Sequence, residues 1–159
     1  MSTSPERSYQ AIVAAPGFCL GVRCDEAEIH EIEFLEPQPE QAPTNALAAE
    51  AARQLRAYIA DPDFRFGLPL RPSGTSFQRR VWAQIETIPN RETRTYGEVA
   101  KALRNAPRAV GQACGANPFP LVVPCHRVVA SGGGLGGFAR HGGGFLLDVK
   151  RWLLAHETR

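Results

Sequence analysis

The chain has 159 residues, a formal net charge of +2, 43% hydrophobic residues and four cysteines. This suits one domain of ordinary size, or two small lobes with a real core. No stretch approaches the ~20 apolar residues of a membrane helix. The polar opening MSTSPERSYQ reads as neither signal peptide nor anchor. The expectation is a cytoplasmic protein with no membrane partner. Cys19, Cys24, Cys114 and Cys125 are too sparse for a disulfide scaffold and read as reduced thiols.

In chain order, AIVAA (11–15) and FCLGVRC (18–24) read as paired strands around Pro16-Gly17. In IHEIEFL (29–35), Ile32 and Phe34 alternate with Glu31 and Glu33, as on a half-exposed strand. TNALAAEAARQLRAYIA (44–60) predicts an amphipathic helix capped at Thr44, with Leu47, Ala51, Leu55 and Ile59 on its buried face. LPLRPSGT (68–75) is a linker by composition.

Beyond it the pattern turns helical. Thr75 with Gln78 forms a capping box ahead of Phe77, Val81, Trp82, Ile85 and Ile88. Thr95 with Glu98 repeats the signal before Val99, Ala100 and Leu103. After a break at Asn105-Ala106, Pro107 opens a further helix running to about Gly115. Two short helices across a tight break predict a helix-turn-helix. Leu146, Val149, Trp152, Leu153 and His156 share one face of a closing helix.

Charge is unevenly spread. Residues 1–75 carry 6 Lys+Arg and 11 Asp+Glu, whereas residues 76–159 carry 12 and 5. A basic C-terminal half beside an acidic N-terminal half points to a polyanionic partner for the former.

The chemistry concentrates in PLVVPCHRVVASGGGLGG (120–137). Pro124 interrupts the run Leu121-Val122-Val123 and puts Cys125 at a turn. His126 and Arg127 beside it favour a thiolate, with a pKa below the ordinary ~8.5 of a free thiol. The glycines after them leave room for a substrate. Thiol, nearby base and an acid to orient the base are the parts of an activated nucleophile.

PCHRV (124–128), preceded by NPFP (117–120), resembles the active-site signature of the O6-alkylguanine-DNA alkyltransferases, the methylated-DNA–protein-cysteine methyltransferases. The resemblance extends in order through FQRRVWAQIETIP (77–89), TYGEVA (95–100), RAVGQA (108–113) and KRWLLAHE (150–157). It implies DNA repair in a single turnover, with the alkyl group of O6-alkylguanine, and of O4-alkylthymine, passing to Cys125 without cofactor or metal. His126, Glu157 and a bound water would poise the thiol, and Tyr96 would hydrogen-bond guanine N3. Arg108 would replace the flipped nucleotide in the duplex, while Ala109, Gly111 and Ala113 let the helix approach the minor groove. Val128, Phe138 and Ala139 would line the base pocket, and Asn117 would tie the second helix to the active-site turn.

The implied fold is α+β. A small ribonuclease-H-like sheet-and-helix lobe (1–72) supports a mainly helical lobe (73–159) containing the helix-turn-helix, in a monomer bound to double-stranded DNA. Relatives that bind lesions without repairing them carry tryptophan where this chain has Cys125. Cys19, Cys24 and His30 lack the tightly paired spacing of common structural zinc sites.

Overall fold

A computed structural model describes residues 8–136 and 144–158. The chain is mixed α and β and divides into two compact units, Met1–Pro72 and Ser73–Arg159.

The first unit is built on an antiparallel sheet of β1 (Ala11–Ala15), β2 (Phe18–Cys24) and β3 (Ile29–Leu35), in that order. Pro16-Gly17 turns β1 into β2, with Gly17 at φ +85, a left-handed conformation that glycine adopts without steric cost. Ile32 and Phe34 are buried, and Glu31 and Glu33 alternate with them toward solvent.

The segment expected to be a linker begins later than its composition suggested. Ile29 N–H donates to the Pro69 carbonyl at 2.7 Å, and Arg71 N–H to the Ile29 carbonyl at 2.8 Å. Residues 69–71 therefore extend the edge of the sheet. Proline is tolerated there because an edge position needs no outward donor.

Helix α1 (Ala46–Ala60) packs on β1 and β2. Its cap is Asn45, whose Oδ1 accepts the Ala48 N–H at 2.8 Å, and not Thr44. The buried face also differs from the expected one, being Ala48, Ala51, Ala52, Leu55 and Tyr58. A strict four-residue step drifts by about 40° each time on a helix of 3.6 residues per turn. Leu47 and Ile59 thus fall on opposite flanks of the face, and both are half-buried.

In the second unit, α2 (Ser76–Glu86) and α3 (Tyr96–Leu103) each open on a complete capping box, Thr75 with Gln78 and Thr95 with Glu98. Helix α4 (Pro107–Gly115) starts with proline at its first turn, where the missing N–H costs nothing. Between α3 and α4, Arg104 takes a left-handed conformation at φ 55 and turns the chain. Val81, Trp82, Ile85, Val99, Ala100, Leu103, Val110 and Ala113 form the core these helices share. Trp82 Nε1 donates to the Ala113 carbonyl at 2.9 Å, joining α2 to α4.

Two very short strands, β4 (Arg94–Thr95) and β5 (Val128–Val129), pair in parallel. They position the functional residues, because β4 leads directly into Tyr96 and β5 leaves directly from the turn at Cys125–Arg127. Helix α5 (Phe145–Glu157) closes the unit and packs on that turn. No helix among the described residues is long and apolar enough to cross a membrane.

Candidate active site

The turn carrying Cys125 is a single 3-10 turn, Cys125–Arg127, held from both sides in sequence. Cys125 N–H donates to the Val123 carbonyl and Val123 N–H to the Phe119 carbonyl, each at 2.8 Å. Leu121, buried and at φ 76, reverses the chain between them. Such a conformation is costly outside glycine and persists only where the surroundings impose it.

Asn117 supplies much of that constraint. Its Oδ1 accepts the Phe119 N–H at 2.9 Å, and its Nδ2 donates to the Val123 carbonyl at 2.9 Å and to Cys125 Sγ at 3.3 Å. One side chain just beyond α4 thus fixes both the turn and the sulfur.

Cys125 is buried. Its thiol is held well above the ordinary range, first by a hydrogen bond with Cys114 and then by burial. Asn117 and the Lys150 ammonium act in the opposite direction but do not prevail. This corrects the expectation of a resting thiolate: the two cationic neighbours in sequence are turned elsewhere. Arg127 is committed to Glu157 and to the Ile88 carbonyl. His126 bonds through Nε2 to Glu157 Oε2 at 2.8 Å, and burial pushes its pKa down, so the ring is neutral. With Nε2–H donating to the carboxylate, Nδ1 carries the lone pair and meets no hydrogen-bond partner among the described residues.

Tyr96 is half-buried at the start of α3. Burial raises its phenol, so the hydroxyl stays protonated and can donate. Gly136 lies against the ring: a Cβ there would come within 2.8 Å of Tyr96 Cε2, and its φ of 71 already favours glycine.

Arg108 is exposed in the first turn of α4, and Ala109 and Gly111 are half-buried beyond it. Ala113 departs from the expected surface. It is 2% exposed, because it faces the core beside Trp82. Val128 is fully buried as well. Phe138 and Ala139, expected in the base pocket, lie outside the described residues.

Comparison with known proteins bears on what this arrangement does. A model of the family described as "6-O-methylguanine DNA methyltransferase, DNA binding domain" matches residues 76–159. A methylated-DNA–protein-cysteine methyltransferase of Methanosarcina mazei is 37% identical over 157 residues, covering 94% of this chain and 96% of that one. The chain belongs to the methylated-DNA–protein-cysteine methyltransferase family. A second methyltransferase of that name, from Mycolicibacterium paratuberculosis, is 50% identical over 113 residues, covering 70% of this chain and 66% of the relative. Among solved structures, Mycobacterium tuberculosis OGT in complex with DNA is similar, with a TM-score of 0.77, 37% identity and coverage of 92% of this chain and 91% of that one.

Apolar patterning missed one residue that this member of the methyltransferase family places at the centre of the site. Lys150, fully buried on α5, donates from Nζ to the Val128 carbonyl at 2.8 Å and to the Leu135 carbonyl at 2.6 Å. Its ammonium sits 5.8 Å from the Tyr96 ring centroid, and burial pushes its pKa down to about 8. The available signal was its position beside Val149 and three residues before Leu153, which puts a charged side chain on the inward face of α5.

Proposed function

We propose that this chain repairs DNA by transferring an alkyl group from O6 of guanine to Cys125, once per molecule. The observation that carries this reading is a buried Cys125 whose sulfur accepts from the Asn117 amide at 3.3 Å, followed in the same turn by His126 bonded to Glu157 at 2.8 Å, in a chain of this family.

In the reaction, His126 Nδ1 takes the Cys125 proton, directly or through the bound water that the family resemblance implies. The Glu157 carboxylate holds the imidazole in the tautomer that leaves Nδ1 basic and stabilises the cation that forms. The thiolate attacks the alkyl carbon in line. The S–C bond forms as the C–O6 bond breaks, and the electron pair passes to the guanine ring. Tyr96 donates to guanine N3 and offsets that charge. The thioether does not reverse, so a molecule is consumed at each repair and no cofactor is needed.

The buried sulfur cannot reach O6 in an intact stack, so the nucleotide must be flipped out. Helices α3 and α4 act as a helix-turn-helix that enters the minor groove. Arg108 fills the vacated space, while Ala109 and Gly111 permit close approach. The exposed Arg79, Arg80, Lys101, Arg104 and Arg108 support phosphate contact by this unit. The chain acts in the cytoplasm as a monomer, with residues 1–72 as a ribonuclease-H-like supporting lobe, and also accepts O4-alkylthymine. The presence of Cys125 disfavours a lesion-binding role without repair.

The test compares Arg108→Ala with the unsubstituted protein on O6-methylguanine duplex and on free O6-benzylguanine. The finger role predicts slow repair of the duplex with little change on the free base. Equal slowing of both would remove that role.

A further inference from the structure

Among the described residues, only Arg91, Arg104 and Leu121 combine a positive φ with a side chain. Leu121 is buried in the active-site turn, where the packing around it imposes the conformation. Arg104 has no such cause, because it is exposed between α3 and α4. The backbone there explains the conformation but not the arginine. Arg104 N–H donates to the Lys101 carbonyl at 3.2 Å, and Asn105 N–H to the Ala100 carbonyl at 2.9 Å. These two bonds make the Schellman ending of a helix, in which the left-handed residue, here at φ 55, is ordinarily glycine. Any other residue brings its Cβ against the following carbonyl, a cost that glycine avoids.

The side chain recovers nothing within the fold. Its guanidinium makes no hydrogen bond or ion pair among the described residues. The sequence offers it no acid nearby in the unit's DNA-facing stretch, since none occurs between Glu98 and Asp148. Nor does the turn depend on it. Arg80 Nη2 donates to the Leu103 carbonyl at 3.3 Å and braces the end of α3 from α2. Every residue from Arg104 to Arg108 is exposed.

We propose that Arg104 is a phosphate-binding residue, kept at the α3–α4 turn against its backbone preference because it anchors that turn on the DNA backbone. A guanidinium presents a planar fork of donors that matches two phosphate oxygens. The inference rests on α3 and α4 being the DNA-binding pair. It adds a residue held for binding at the expense of folding, distinct from Arg108, which fills the space of the flipped nucleotide.

The test measures thermal melting, and binding to an undamaged fluorescent duplex across a salt series, for Arg104→Gly, Arg104→Ala and Arg104→Lys. Arg104→Gly should melt about 2–4 °C higher than the unsubstituted protein. It should nevertheless bind more weakly, with a slope of log affinity against log salt shallower by about 0.9, the value for one phosphate contact on B-DNA. Arg104→Ala should lose the same slope without the gain in melting, and Arg104→Lys should keep the slope. An unchanged slope in both uncharged variants would overturn the phosphate contact. Arg104→Gly melting no higher would overturn the backbone cost. Arg108→Ala, run in parallel, separates this proposal from the reading beneath it. If that variant weakens duplex binding while the Arg104 variants do not, Arg104 alone is misassigned. Duplex affinity of the unsubstituted protein that ignores salt altogether would remove the DNA-binding reading itself.

Discussion

Arg127 meets Glu157 at two points, Nε to Oε1 at 2.8 Å and Nη2 to Oε2 at 3.0 Å, on the same carboxylate that bonds His126. The carboxylate is almost fully buried, with 2% side-chain exposure against 13% for the guanidinium. One acid thus holds a fixed charge and a neutral base together. The Glu157 carboxylate accepts from both side chains, which favours the His126 tautomer with its proton on Nε2.

Glu157→Gln should therefore do two things. It leaves the Arg127 charge without its partner, which costs toward the low end of the roughly 3–5 kcal/mol for breaking a buried pair. It also weakens the imidazole as a base, so alkyl transfer should slow and its pH profile should move upward. Urea unfolding gives the first and single-turnover rates on folded protein give the second. Normal stability with an unchanged profile would show that the pair is inert.

Asn117→Ala removes three hydrogen bonds at once, to Phe119, Val123 and Cys125. An unsatisfied buried backbone group costs about 1–3 kcal/mol, so a loss of that order is expected. Transfer to free O6-benzylguanine should slow as well, because the amide also holds the sulfur. A stability loss with normal transfer would confine Asn117 to the scaffold.

Lys150 makes stability depend on pH. In the fold its pKa is about 8, whereas an unfolded lysine titrates near its model value of 10.5. Between those values the unfolded chain binds more protons, so this group makes stability rise with pH and has no such effect below the window. Lys150→Met removes the effect. The stability of the unsubstituted protein relative to Lys150→Met should increase between about pH 8 and about pH 10. A difference that stays flat across that range would mean Lys150 keeps its charge.

Two glycines should respond oppositely to alanine. Nothing lies within 4 Å of a Cβ built on Gly111, so Gly111→Ala should fold normally and gain up to about 1 kcal/mol of helix stability. If α4 lies against DNA there, the same change should weaken duplex binding. Gly136→Ala places a methyl 2.8 Å from the Tyr96 ring at φ 71, so it should impair transfer even from the free base. Thermal melts, duplex titrations and single-turnover rates separate these effects.

Residues whose signals are local were legible in the sequence. Thr75, Thr95 and Pro107 mark helix starts through caps and a fixed φ, and each stands where it was expected. The Pro16-Gly17 turn and the alternation in β3 follow from equally short-range rules.

What escaped depends on partners distant in sequence. Lys150 is charged on an inward face because two carbonyls, 22 and 15 residues away, receive its ammonium. Arg127, read as a neighbour of the thiol, is drawn to a carboxylate 30 residues away. Cys125 stands out in the sequence as the candidate nucleophile, but the upward shift of its thiol does not. That depends on Cys114, from another helix, and on burial.

The most direct test of the central claim is intact-mass measurement after excess O6-methylguanine duplex, followed by peptide mapping. The account predicts a plateau at one methyl group per protein molecule, carried by Cys125, and none on Cys125→Ser. Methyl transfer that persists in Cys125→Ser, or repair continuing past one equivalent without added thiol, would contradict it.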